Sequence, residues 1–335
     1  MTALPSADEL LAGAHVVALP MRVRFRGVTT REAVLFEGPS GWGEFAPFVE
    51  YADVEAARWL AAGIEAAHAG WPVPVRAHVP VNATVPAVAP DEVEAVLARF
   101  DGCTTAKVKV AEAGQTLGDD LDRVAAVRAA MGTSARIRVD ANGGWDREAA
   151  LAAIGRLAAY DLEYVEQPCA TVEDLAWLRT ALARAGVDVP IAADESIRRA
   201  EDPLRVAALG AADLVVVKVA PLGGVSRALE IVDACGLPAV VSSALDTSVG
   251  IAAGVALAAA LPALDHACGL GTVGLFATDV ADPPLRPVGG HLVPGRARVD
   301  PDALRSLAAD PERQRWWRDR LTRCHAQLTA DGGHP

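Results

Sequence analysis

Aromatic residues make up only 5% of this 335-residue chain, and there are only five cysteines. Cys103, Cys169, Cys235, Cys268 and Cys324 form no CxxC pair, and their number is odd. That argues against a disulfide framework and predicts reduced thiols in a cytoplasmic protein. Long apolar runs are missing too. The most apolar stretch, Val249–Pro262, has 14 residues and ends at a proline, whereas a bilayer span needs about 20. It reads as a buried helix. No Lys/Arg-rich cluster occurs and the net charge is −12, so neither nucleic acid nor an anionic membrane is an expected partner. Asp8 and Glu9 stand ahead of the first apolar stretch with no basic segment, so no signal peptide is expected. No GxGxxG follows an early strand, which argues against an open dinucleotide-binding sheet.

Hydrophobic residues make up 52% of the chain, which excludes a disordered protein and permits a large core. The opening has α+β character. His15–Leu19, Met21–Phe25 and Glu32–Phe36 read as short strands, and Ala52–Ala69 as a helix with one apolar face. From about residue 78 the pattern becomes a regular alternation. Strands are expected at Val79–Thr84, Ala106–Val110, Ile137–Asp140, Tyr164–Glu166, Ile191–Asp194, Leu214–Val219, Ala239–Ser243 and His266–Gly269. The helices between and after them are expected at Pro90–Arg99, Leu117–Met131, Asp146–Ala159, Val172–Ala185, Asp202–Leu209, Gly224–Cys235 and Ser248–Ala260. Near-continuous apolar strands fit a parallel sheet covered on both faces. Eight such units predict an α/β chain built on a (β/α)8-type barrel, with the active site at the C-terminal strand ends. The expected domains are 1–77, 78–284 as the barrel, and a C-terminal segment 285–335 that packs back on the rest. In that last segment His291–Val299 reads as one or two short strands, and Leu304–Ala308 and Pro311–Leu328 as helices. A monomer is slightly favoured.

Charged residues recur in or at the ends of these apolar strands, where a charge is costly unless paired or bound to metal. Lys107 and Lys109 lie two apart on the second strand, so they share a face. Asp140, Glu166 and Asp194 end the third, fourth and fifth strands, and Lys218 lies on the sixth. Three acidic tips on neighbouring strands are expected to meet around one hard cation, Mg²⁺ with Mn²⁺ as the alternative. His and Cys are absent from these tips, which argues against zinc. A divalent cation beside a lysine suits removal of a proton α to a carboxylate. The lysine must then be neutral, so its pKa of about 10.4 has to fall to roughly 7–8.

The set Lys107-Val-Lys109, Asp140-Ala-Asn142, Glu166-Gln-Pro168, Asp194-Glu-Ser196 and Lys218 resembles the enolase superfamily, muconate-lactonizing subgroup. The resemblance covers nearly the whole chain and implies a modified TIM barrel with residues 1–77 as an α+β capping domain. It implies Asp140, Glu166 and Asp194 as Mg²⁺ ligands, Lys109 as the proton-abstracting base, Lys107 as its support, and Lys218 on the opposite substrate face. Within the subgroup, Val217–Gly224, Ser242–Gly250, Gly269-Leu-Gly271 and Phe25–Thr30 are most similar to the o-succinylbenzoate synthase family of actinobacterial type. That implies a Mg-dependent hydro-lyase of menaquinone biosynthesis acting on a small anionic substrate. N-succinylamino acid racemases share the same lysines and remain an alternative. A non-catalytic barrel that binds an anionic metabolite is a second. A dipeptide epimerase ranks lower, because the eighth strand tip carries no acid.

Ser242, Ser243, Gly269 and Gly271 are candidate partners of a substrate carboxylate, and Arg26 is a candidate for the succinyl end. Trp42–Phe48 is a candidate lining on the cap side. Asn142 and Glu195 are expected to orient metal ligands. His266 reads as structural, and Trp316-Trp317 as packing of the tail.

Overall fold

Proline and glycine punctuate the first sheet. In the computed structural model, which describes residues 4–25, 27–197 and 202–330, α1 (Ala7–Ala12) precedes β1 (His15–Phe25), β2 (Val28–Gly38) and β3 (Gly41–Phe45). The three strands form an antiparallel sheet in chain order. The two strands expected before residue 26 are one strand with a register shift beyond Pro20, because proline cannot donate to the ladder. Helix α2 (Asp53–Ile64) buries Trp59, Leu60 and Ile64 and runs into a π-helical turn, Glu65–Ala69.

The alternating region follows as β4 (Val79–Pro80), β5 (Ala83–Val85), α3 (Val93–Leu97), β6 (Thr105–Lys109), α4 (Leu117–Met131), β7 (Arg136–Asp140), α5 (Arg147–Leu157), β8 (Leu162–Glu166) and α6 (Val172–Arg184). It continues with β9 (Ile191–Ala193), α7 (Asp202–Ala208), β10 (Leu214–Val217), α8 (Val219–Leu222), α9 (Val225–Cys235), β11 (Ala239–Val241) and α10 (Ser248–Ala260). Strands β5 to β11 form one parallel sheet in chain order. The expected eighth strand, His266–Gly269, is not a ladder strand. It is reduced to single bridges, Cys268 to Val81 and Gly269 to Ser242. Its backbone still reaches both sheet edges: Asn82 N donates to Cys268 O at 2.9 Å, and Gly269 N donates to Val241 O at 2.8 Å. Gly269 is pressed so close to β11 that a Cβ there would lie 2.5 Å from Ser242 Oγ. The result is a modified TIM barrel with an α+β cap. β12 (His291–Leu292) pairs with β4, and α11 (Pro301–Ser306) leads to α12 (Pro311–Ala330). Trp317 of α12 is buried and donates to Glu32 Oε2 at 2.9 Å. No described helix is long and apolar enough to cross a membrane.

The barrel interior carries its own apolar cluster, Tyr164, Ala192, Leu214, Val216 and Val240. Arg138 is also fully buried there. It donates to Glu163 Oε2 at 2.5 Å and 2.9 Å, to Tyr164 OH at 2.7 Å and to Ala267 O at 2.8 Å. Burial opposes a charge on Glu163, but His266 and Arg138 outweigh it and hold the carboxyl at about 2. His266 sits 2.8 Å from Glu163, which lies near the N-terminal start of β8, three residues before the tip at Glu166. It belongs to this structural network, in keeping with its reading as a structural residue, although Glu163 gives it a carboxylate partner that the sequence did not reveal.

Two carboxylates of the cap close the first turns of barrel helices, where backbone N–H groups lack helical partners. Glu65 accepts from Val225 N at 2.5 Å and Ser226 N at 2.9 Å, at the start of α9. Glu44 accepts from Thr247 N at 3.2 Å and Gly250 N at 3.1 Å, at the start of α10. Burial and the neighbouring Asp246 push Glu44 up to about 8. A carboxyl raised in this way contributes its full stability below about 4.5, and that stability is lost as pH rises through about 8. The linked loss is on the order of 3–5 kcal/mol. Glu44→Gln retains an acceptor but cannot titrate. Thermal melts from pH 4.5 to 8 are expected to fall for the parent and to be flatter for the variant. Parallel curves would place the pH dependence elsewhere.

Candidate active site

Strand register builds the site. Lys107 and Lys109 are on one face of β6, and Lys109 pairs with Asp140 at the tip of β7. Asp140 in turn pairs with Glu166 at the tip of β8. Glu166 pairs with Ala192, so Asp194 stands two residues beyond that level, just after β9. Lys218 follows β10 and opens α8. All six side chains are buried.

The charges pair off. Lys107 Nζ lies 2.7 Å from Glu166 Oε1 and 2.9 Å from Asp140 Oδ2. Lys109 Nζ also bonds Asp140 and donates to Asn142 Oδ1 at 2.8 Å. Lys218 Nζ bonds both oxygens of Asp194. Burial disfavours the Lys107 charge, yet Asp140 and Glu166 outweigh it and hold the ammonium well above the usual lysine range. Asp140 is the mirror case: burial opposes its charge, but Lys107 and Lys109 hold it well below the carboxylate range. Glu166 goes the other way. Burial first and Asp140 second raise it to about 8, and its Oε2 is buried with no hydrogen-bond partner.

Among the described residues, no three His, Cys, Asp or Glu side chains form a ready-made metal cage. The physical reason is visible: Lys107 bridges two of the carboxylates and Lys218 engages the third. The donor set itself fits a hard divalent cation. It is all carboxylate oxygen, it is buried, and Glu166 Oε2 is an orphaned acceptor on a group whose charge burial disfavours, although Glu166 itself does not line the cavity shared by Lys109 and Lys218.

Lys107, Lys109, Asp140, Asp194 and Lys218 line one cavity. Ser242, Ser243 and Gly269 line it from the seventh and eighth units. Ser243 Oγ is bonded to Thr272 Oγ1 at 2.7 Å and to Gly269 O at 3.1 Å. Thr272 lines the cavity, whereas Gly271 packs against Phe100 and the Asn82 carbonyl. Arg26 lies outside the described residues.

The cap contributes two aromatic rings to the lining, Phe25 and Phe48. The Phe25 ring centroid is 5.2 Å from Lys109 Nζ. Phe48 lies in the stretch singled out from the sequence, and the buried Arg31 guanidinium stacks on it at 4.4 Å. Arg31 also donates to Leu245 O at 3.1 Å, and so joins the cap to the loop after β11.

Asn142 and Glu195 are joined, Nδ2 donating to Oε1 at 3.1 Å, but Asn142 also touches Lys109 directly. Sequence reading gave no role to Gln167. Its Oε1 accepts from Asp194 N at 2.8 Å and Ser196 N at 3.2 Å, so it shapes the Asp194 loop. Thr84 was also missed; it lines the cavity from β5 beside Lys107. Their only sequence signals are their places next to Glu166 and at a strand end.

A family model described as Enolase C-terminal domain-like matches residues 91–298, and one described as Enolase N-terminal domain-like matches residues 16–67. An o-succinylbenzoate synthase of Mycobacterium marinum is 59% identical over 327 residues, covering 97% of both chains. That of Mycolicibacterium smegmatis is 58% identical over 326 residues, covering 97% of this chain and 99% of the relative. Among solved structures, the muconate lactonizing enzyme of Pseudomonas putida superposes with a TM-score of 0.73 at 21% identity, covering 88% of this chain and 98% of that one. The L-Ala-D/L-Glu epimerase of Bacillus subtilis gives 0.72 at 24% identity, covering 85% and 96%. These two likenesses speak to the fold alone.

Proposed function

This chain belongs to the enolase superfamily, and on that premise we propose how its site performs the reaction of the o-succinylbenzoate synthases. Its activity is theirs, the hydro-lyase step that converts 2-succinyl-6-hydroxy-2,4-cyclohexadiene-1-carboxylate to 2-succinylbenzoate in menaquinone biosynthesis. The observation that carries the mechanistic reading is one cavity lined by Lys109 and Lys218, each ion-paired to a different carboxylate.

In our reading Lys109 takes the proton α to the ring carboxylate. A lysine accepts a proton only as the neutral amine, and Lys107 on the same strand face disfavours a second ammonium beside it. The electron pair of the broken C–H bond forms the new ring double bond, and the C–O bond to the hydroxyl breaks. Protonated Lys109 returns its proton to the departing oxygen, so water leaves from the same face and the ring becomes aromatic. Lys218 supplies a fixed positive charge facing the ring. Asp140, Glu166 and Asp194 are the residues that would hold Mg²⁺, with Mn²⁺ as the alternative. When bound, such an ion stabilises negative charge developing on the substrate carboxylate. Ser242, Ser243 and Gly269 are assigned to the carboxylate end of the substrate, and Arg26 to the succinyl end. The site of action is the cytoplasm.

Two substrates tested side by side check this reading. Dehydration of the cyclohexadiene substrate that requires Lys109, with no α-deuterium gained by N-succinyl amino acids in D₂O, supports the lyase. Deuterium uptake that requires both Lys109 and Lys218, without dehydration, would assign a racemase instead.

A further inference from the structure

β7 runs alongside the strand that carries Lys109 to its tip, but β5 on the other side does not. β5 stops at Val85, opposite Val108, so no residue of β5 faces Lys109. Its backbone carbonyl is held instead by a helix. Arg123 of α4 donates from Nη1 to Lys109 O at 2.9 Å and from Nε to Val88 O at 2.7 Å, in the loop after β5. The same Nη1 lies 3.0 Å from Asp120 Oδ1. Asp120 Oδ2 accepts from Ala111 N at 3.0 Å, two residues beyond Lys109. Both side chains of the pair are almost fully buried, Asp120 at 2% and Arg123 at 1% exposure.

A buried ion pair often adds little net stability compared with apolar residues of the same size, because desolvating two charges offsets their attraction. What this pair does provide is geometry. Ala111 is held in the left-handed region, at φ 59°, and it packs on Gly144. A Cβ on Gly144 would lie 2.9 Å from Ala111 Cβ and 2.9 Å from Ala141 O. Holding Ala111 therefore fixes the loop after Asp140 as well, and that loop presents Asn142 to Lys109 Nζ. One guanidinium and one carboxylate thus hold the backbone just beyond the Lys109 side chain, at its own carbonyl and at the Ala111 N–H.

We infer that Arg123, acting with Asp120, is a positioning residue for Lys109: it sets where the amine stands through the Lys109 and Ala111 backbone. This rests on the reading of Lys109 as the base. Displacement of a reacting group by about 1 Å costs on the order of a hundredfold in rate, so a loosened strand tip should show in kcat.

Two variants test it. Arg123→Lys keeps the charge, but one ammonium cannot span the Lys109 and Val88 carbonyls and Asp120 together. Arg123→Met combined with Asp120→Leu replaces the pair by apolar groups, a change that cores often tolerate. Both are expected to unfold cooperatively, to keep KM within about threefold, and to lower kcat by ~10–100-fold. Should Arg123→Lys fail to fold, the double variant decides. A kcat within about twofold of the parent in a folded variant, or a loss carried by KM alone, overturns the inference. Lys109→Ala is assayed alongside. Full activity there overturns the base assignment and this inference with it. An inactive Lys109→Ala beside fully active Arg123 variants overturns the positioning role alone.

Discussion

Replacing Lys109 with alanine is expected to lower the dehydration rate by ~10²–10⁴-fold, the usual worth of a positioned general base. The fold is expected to survive the change. Asp140 keeps a counter-charge, because Lys107 Nζ remains 2.9 Å away. The substitution therefore removes the proton acceptor without stranding a buried carboxylate. KM is expected to move little, since in the proposed mechanism the interaction lost is one made on the way to the transition state. Steady-state kinetics beside a thermal melt check both parts. Lys218→Ala is the informative contrast: it leaves Asp194 without the ion pair that holds both its oxygens, so stability and rate should fall together there. Retention of parent kcat by a folded Lys109→Ala would exclude Lys109 as the base.

Removal of divalent cations is expected to abolish turnover, and Mg²⁺ to restore it. Glu166 is the reason. Its Oε2 is buried without a partner, and burial raises the group to about 8. A buried acceptor in that condition costs stability until a cation or proton meets it. Binding a cation to the folded state alone also stabilises it by linkage, about 2.7 kcal/mol at a hundred times the dissociation constant. The melting temperature of the parent should therefore rise with added Mg²⁺ in the absence of any substrate. Glu166→Gln, which removes one charge from the donor set, should show little or no rise. Equal shifts in parent and variant would remove Glu166 from the ligand set, whatever the activity does.

The parts of this molecule that could be read from its sequence are those with local causes. Helix α4 lies between Thr116, whose side chain caps it with Asp119, and Gly132 at φ 80°, and its expected limits match. Helix α10 was legible because it is apolar on every side and starts at a capping Thr247. The charged strand tips stood out because a charge at the end of an apolar run is costly. The missed features depend on partners far along the chain. The closing segment around Cys268 makes single bridges to Ser242, just after β11, and to Val81, and no local alternation announces that. Arg31, Arg123 and Arg138 look like ordinary surface arginines in the sequence, yet all three are buried. The acceptors of Arg31 lie at residues 46, 244 and 245, so nothing near it in the chain signals its role. The pairing of Lys218 with Asp194 is hidden for the same reason, since the two lie 24 residues apart in the chain.

The most direct test is the dehydration assay itself, with the purified chain, saturating Mg²⁺ and 2-succinyl-6-hydroxy-2,4-cyclohexadiene-1-carboxylate, following the aromatic product. Catalytic formation of 2-succinylbenzoate is expected, disappearing on chelation and returning with Mg²⁺. A folded protein that forms no product above the uncatalysed rate at any Mg²⁺ concentration would contradict it.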